Sequence, residues 1–217
     1  MSVLGVYIQL KLGEPDMLKI FTKTVIVAAS ILTISSNALA KDISYDYIGV
    51  EYDSITDSSL GVDVDGTGFF VGGSFSISPN LAVTAAYGTT SYDRVAGLDI
   101  DFTELNFGIT AHTPLAPNTD LFGNFSVVKV ESEVSDGFDT VTDDETGNAI
   151  SVGVRHMPSD KIELGIKFSS VDLYDDTDSS FEIGAQFYTT EKVSVGVGYV
   201  MVVDVDVIVL NARIDTK

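Results

Sequence analysis

The chain has no cysteine among its 217 residues. A disulfide framework and a thiolate metal site are both excluded. Histidine is limited to His112 and His156, too few for a clustered imidazole centre. Lysine and arginine total 12 against 32 aspartates and glutamates, a formal net charge of −20. So acidic a chain repels phosphodiester backbones, and nucleic acid is excluded as a partner. Tryptophan is missing, so any ring of interfacial aromatics must use Tyr and Phe. Beyond residue 40 no stretch stays apolar for the roughly 20 residues that a membrane-crossing helix needs.

What is present begins with a leader. Met17-Leu-Lys-Ile-Phe-Thr-Lys23 is a short basic start, residues 24–34 are apolar, and Asn37-Ala-Leu-Ala40 ends in Ala-x-Ala. This order predicts a signal peptide over 17–40 with cleavage after Ala40. Residues 1–16 read as a mis-called N-terminal extension upstream of the better start at Met17. The folded domain is then 41–217.

Within that domain apolar and polar residues alternate almost throughout, the period of a β-strand. The alternation predicts ten strands, at 44–56, 67–77, 81–92, 99–112, 120–134, 148–157, 161–171, 179–189, 192–203 and 206–215. Eight strands is the alternative, because the turn near Asp204 has weak turn chemistry. One face of each strand is apolar, as in Ile48/Val50/Tyr52, Leu105/Phe107/Ile109 or Ile162/Leu164/Ile166/Phe168. The other is rich in Gly, Ser, Thr and a few charges. The hairpin around Pro158-Ser-Asp160 shows the pattern. Folded about Ser159, it sets Arg155 opposite Glu163, Gly153 opposite Gly165, Val154 opposite Leu164 and Val152 opposite Ile166. Periodicity does not say which face is outside. A soluble barrel turns the apolar face in, and a membrane barrel turns it out.

Two features favour the second arrangement. Links after even-numbered strands are short and carry four of the five prolines, whereas links after odd-numbered strands are acidic. An up-and-down sheet would gather those acids at one pole, a polarity that a chain crossing a bilayer needs. The mixed face also holds Gly72, Gly108, Gly153, Gly165, Gly184, Gly196 and Gly198. Glycine weakens a water-facing strand but suits a narrow lumen packed with side chains. Charges in such a lumen must be paired. By parity Glu104, Arg155, Glu163, Lys167, Glu182 and Arg213 form an internal ion network.

With Asn37-Ala-Leu-Ala40, the opening Tyr45-Asp-Tyr-Ile-Gly-Val-Glu-Tyr52, Gly68-Phe-Phe-Val-Gly-Gly-Ser-Phe75, Val195-Gly-Val-Gly-Tyr199 and Leu210-Asn-Ala-Arg-Ile214, the chain resembles the small outer-membrane β-barrel proteins of Gram-negative bacteria, of the OmpA/OmpX-like or small-porin-like type. The resemblance implies an all-β, closed, antiparallel, up-and-down transmembrane β-barrel. It implies residence in the bacterial outer membrane, contact with lipid and lipopolysaccharide, and insertion by the barrel-assembly machinery. Interfacial aromatics would then include Tyr87, Phe168, Tyr174, Phe187 and Tyr199.

Features able to carry chemistry are sparse. Asp63-Val-Asp65-Gly resembles the start of a calcium loop without its distal Glu. With Asp143, Asp144, Asp175 and Asp176 it would make a weak rim for Ca or Mg, set against a simpler reading as solvated acidic loops. No other cofactor is expected. No Gly-x-Ser-x-Gly elbow or His-Glu-x-x-His pair occurs, and both histidines adjoin short turns, so an enzyme is not expected. The expected role is non-enzymatic, structural or adhesive, or that of a narrow channel. The alternatives are a secreted soluble β-barrel binding a small apolar ligand and, least favoured, an outer-membrane enzyme modifying lipid or peptide.

Overall fold

In a computed structural model the described residues are 43, 45–58, 63–95, 97–174 and 176–217. The expected leader and the segment before it lie outside them.

Ten antiparallel strands close into one barrel. They are β1 (Tyr47–Asp57), β2 (Val64–Ser78), β3 (Leu81–Val95), β4 (Leu98–Ala116) and β5 (Thr119–Ser135), then β6 (Thr140–Ser159), β7 (Ile162–Leu173), β8 (Asp176–Tyr188), β9 (Val193–Val202) and β10 (Val205–Asp215). Each pairs with its sequence neighbours. β1 closes the ring on β10 from Tyr47 opposite Asp215 to Asp57 opposite Val205. Closure leaves no sheet edge in hydrocarbon, where an unpaired backbone group costs several kcal/mol. The turn before β10 exists. Asp204 adopts φ 64° there, a left-handed conformation that aspartate tolerates better than most residues.

The orientation of the faces is unambiguous in the middle of the wall. Arg155 and Glu163 are 0% and 1% exposed, while Val152 and Ile166 are each 50% exposed. The apolar sets of all ten strands point away from the axis.

Three expectations are corrected. The β6–β7 register is shifted by two residues: Arg155 lies opposite Gly165, Gly153 opposite Lys167, Val154 opposite Ile166 and Val152 opposite Phe168. A bulge between His156 and Ser159 moves the turn to Asp160-Lys161 and tucks Met157 inward beside Tyr188. Parity survives a shift of two, so the faces are unchanged. Next, 136–147 is not a loop. β6 starts at Thr140 and pairs with β5 up to Ser135, leaving a tight link at Asp136–Asp139. Tyr174, finally, is not an interfacial anchor: it packs against the inner apolar cluster.

Strand lengths are uneven. β4, β5 and β6 have 19, 17 and 20 residues, against 11 in β1 and 10 in β9. About 9–11 residues suffice to cross a bilayer. β4 runs past Ala111, the partner of Leu81, at the short-turn pole, while the surplus of β6 stands at the acidic pole. There β6 pairs only with β5, since its ladder to β7 begins at Asn148 opposite Asp172.

The two faces exchange character along the axis. In the middle of β4, Leu105, Phe107 and Ile109 point out while Glu104 and Asn106 point in. Toward the acidic pole the order flips: Asp101 points out, and Ile100 and Phe102 point in. β5 does the same, with Glu131 and Glu133 outside and Val130 and Val134 inside. The inner apolar residues form one cluster with Ile55, Val128, Val171, Val200, Val205 and Val207.

Candidate functional site: the filled lumen

The lumen is a stack of layers built by inward side chains. Nearest the short-turn pole, Arg155 of β6 gives Nε–H to Glu163 Oε1 of β7 at 2.8 Å. The two stand diagonally across the ladder rather than face to face. Tyr188 of β8 donates its hydroxyl to Glu163 Oε2 at 3.0 Å. The Arg155 guanidinium lies 4.8 Å from the centre of the Tyr45 ring. Tyr45 stacks on His112 at 3.6 Å, and Asp120 approaches both, 3.5 Å from the Tyr45 hydroxyl and 3.6 Å from His112 Nδ1. On the opposite wall Arg213 pairs with Asp215 at 2.5 Å and covers the Tyr47 ring at 4.4 Å.

The next layer is acidic. Lys167 and Glu182, directly opposite each other on β7 and β8, pair at 2.8 Å. Glu51 and Asp53 of β1 and Glu104 of β4 are buried at the same level. Beyond them lies the apolar layer. The structure thus places all six sequence-predicted lumen residues inside, and joins Arg155 to Glu163 and Lys167 to Glu182. Arg213 lines the same small cavity as Glu163 and Glu182, and Glu104 is buried in the acidic layer.

Aromatic rings occupy much of the remaining volume, and their room comes from glycine. Phe70 of β2 lies opposite Gly88 of β3, and Phe122 of β5 lies opposite Gly153 of β6. A Cβ on either glycine would overlap the ring it faces. A cavity of about 20 Å³, lined partly by Glu51, Glu163, Glu182 and Arg213, remains between these layers. That is the space of one water molecule, not of a conduit.

Sequence reasoning missed Tyr45, Tyr47, Glu51, Asp53, Asp120, Tyr188 and Asp215. Parity could have found four of them, since Tyr47, Glu51 and Asp53 alternate with the outward Ile48, Val50 and Tyr52, and Asp215 follows Ile214.

The described residues of the expected acidic rim lie on separate elements. Asp63 and Asp65 stand at the start of β2, Asp143 and Asp144 on β6, and Asp176 on β8; Asp175 lies outside the described residues. Asp144 is engaged by Lys129 at 3.0 Å, and Asp65 accepts from the Thr56 hydroxyl at 3.2 Å. Among the described residues no three acidic or histidine side chains converge to hold a metal ion. Asp136 has a different task. It accepts the amides of Phe138 and Asp139 at 2.8 and 2.7 Å, and these bonds hold its carboxyl below the usual carboxylate range. The histidines are separated: His156, exposed, meets the Thr119 hydroxyl at 2.8 Å, and His112 is inside against Tyr45.

Comparison with known proteins agrees with this architecture. Residues 26–200 match the family model described as the outer membrane protein beta-barrel domain. No curated protein matches the sequence. Among solved structures, the transport unit of the autotransporter AIDA-I from Escherichia coli superposes with a TM-score of 0.58 at 10% identity, covering 92% of this chain and 97% of that one. Neisserial surface protein A gives 0.47 at 10% identity, with 81% and 99% covered. Ail of Yersinia pestis gives 0.43 at 13% identity, with 77% and 94% covered. At such identities the likeness concerns the fold alone.

Proposed function

We propose, from the premise that this chain belongs to the outer membrane protein beta-barrel family, a non-enzymatic role in which a closed barrel anchors and displays its acidic pole at the cell surface. The observation that carries this reading is the filled lumen. Charged, acidic and apolar layers succeed one another along the axis, and barrels of this width hold side chains rather than an aqueous channel. The apolar layer would block ions even if the polar layers hydrated, because a hydrophobic constriction dewets.

The displayed element is the β5–β6 arm. It rises past β7, carries Glu131, Glu133, Asp143 and Asp144, and ends near Phe138, which is 91% exposed. Its acids discourage strand addition along the edge that β7 leaves open. In this reading the acidic pole faces outward beside lipopolysaccharide, the assembly machinery inserts the barrel, and the leader is removed after Ala40. The mature protein then begins at Lys41, a mass that intact-protein spectrometry reads directly.

Planar-bilayer recording tests the central point. Folded protein, verified by its heat-modifiable gel migration, should give flat traces. Discrete unitary conductance would replace this reading with the narrow channel.

A further inference from the structure

The lipid-facing wall is not uniformly convex. Across β7–β10 it carries a groove of about 550 Å³, almost wholly apolar. Small residues make the floor, Ala185 and Gly196. Ile162, Phe187, Val195 and Leu210 make the banks. The floor is low because the outward residue there, Ala185, carries only a methyl group; behind Gly196, on the lumen side, the Gln186 and Asn211 amides bond to one another.

The basic residues give the groove a direction. Seven have described side chains. Arg155, Lys167 and Arg213 are paired inside the lumen, Lys129 pairs with Asp144, and Lys217 pairs with Asp46. Among the described residues that leaves Lys161 and Lys192 without an ion pair, and both are exposed. Both stand at the short-turn end of this groove. Lys161 precedes Ile162, and its carbonyl accepts from Tyr188, the neighbour of Phe187. Lys192 precedes β9 three residues before Val195 and anchors the Asp215 amide. A trough in hydrocarbon capped by two unpaired ammonium groups matches an acyl chain with a phosphate at its head.

We propose that this groove binds one anionic glycerophospholipid of the leaflet at the short-turn pole, with an acyl chain over Ala185 and Gly196 and the headgroup phosphate at Lys161 and Lys192. Asp160 and Glu191 adjoin the lysines and temper their field, so the lysines choose the headgroup class while the groove holds the chain. The proposal extends the membrane reading above, but it fails separately from it, since a barrel with no lipid preference is still an outer-membrane barrel.

The test is native mass spectrometry of the folded protein in micelles. Phosphatidylglycerol and phosphatidylcholine of identical chains are added in parallel. Wild type should retain one phosphatidylglycerol, with at least ten-fold less phosphatidylcholine. Lys161→Gln with Lys192→Gln should abolish that preference. Ala185→Leu, which fills the floor from the lipid side without touching the lumen, should reduce retention of both lipids. Val195→Phe makes the same test if the first variant fails to show heat-modifiable migration. Equal retention of the two lipids by wild type overturns the proposal. So does unchanged retention in the folded groove-filling variant, or the appearance of a dimer whose formation those variants block.

Discussion

Glu163→Gln isolates one charge in the lumen. The substitution keeps the shape of the side chain and its place beside Tyr188, and removes the counter-charge of Arg155. With the pair at 2.8 Å, an effective dielectric of about 20 gives a gross attraction of 332/(20 × 2.8), or about 6 kcal/mol. Part of that is returned by the Gln carbonyl, which still accepts from Arg155, and removing one partner of a buried pair costs about 3–5 kcal/mol in measured cases. The loss should lie in that range. It is read from urea unfolding in phospholipid vesicles, followed by heat-modifiable migration or tyrosine fluorescence, because the chain has no Trp. Arg155→Met combined with Glu163→Leu removes both charges and should recover to within about 1 kcal/mol of wild type, since an apolar pair of similar volume is often neutral. A single variant within about 0.5 kcal/mol of wild type would refute the idea that Arg155 is held in a dry site. So would a double variant no better than the single, because the loss would then come from packing.

Three further outcomes follow from particular contacts. Gly88→Val drives a branched side chain into the Phe70 ring and should cost about 1–3 kcal/mol or prevent folding; adding Phe70→Ala should restore the heat-modifiable band. Ile166→Arg, on the lipid face midway along β7, should cost about 2–4 kcal/mol in vesicles. For the β5–β6 link, Asp136 has a lowered carboxyl pKa in the folded state. Its contribution is therefore present above its unfolded pKa, near 3.8, and is lost as pH falls through the lower folded value. The protection of the Phe138 and Asp139 amides, taken relative to their intrinsic exchange rates at each pH, should fall below about pH 4 in wild type and should show no such step in Asp136→Asn.

Much of the wall was legible because a two-residue period with one apolar face leaves few choices. Ile48, Leu164 and Ile208 could be assigned to lipid once the acids had been counted by pole. The lumen was legible only in part. Arg155 and Lys167 stood out as charges on otherwise small-residue faces, whereas Glu51 and Asp53 looked like ordinary surface acids. The start of β6 was lost because Thr140-Val-Thr-Asp-Asp-Glu-Thr146 has no apolar face, and its strand is made by pairing with β5 rather than by a pattern of its own. The inner apolar layer was hidden for the opposite reason: around Val127-Val128, Val200–Val202 and Val207–Leu210 both faces are apolar, so alternation has no contrast. The two-residue slip at β6–β7 came from the bulge, whose Pro158 reads in the sequence as part of the turn rather than as an interruption of the ladder.

The exchange of faces along the axis has a consequence that two phenylalanines of one strand can test. Phe102 and Phe107 both belong to β4; Phe102 is inside the apolar layer at 2% exposure, and Phe107 faces lipid at 59%. Below the exchange the wall is a membrane barrel, with hydrocarbon for its outer solvent. Above it the strands have acids outside and valines inside, as in a barrel folded in water. Phe102→Ala should behave as a core truncation does, leaving a cavity and costing about 3–5 kcal/mol. That loss should be the same in micelles and in vesicles, because no lipid reaches the site. Phe107→Ala leaves no cavity, since acyl chains move into the space, and should cost less than about 3 kcal/mol, the transfer contribution of one apolar side chain. Its cost should change with the lipid, because that lipid is what the ring touches. If the two costs moved together when micelles were replaced by vesicles, the inner valines and Phe102 would share the membrane's solvent, and the boundary between the two halves of the barrel would not be where the acids place it.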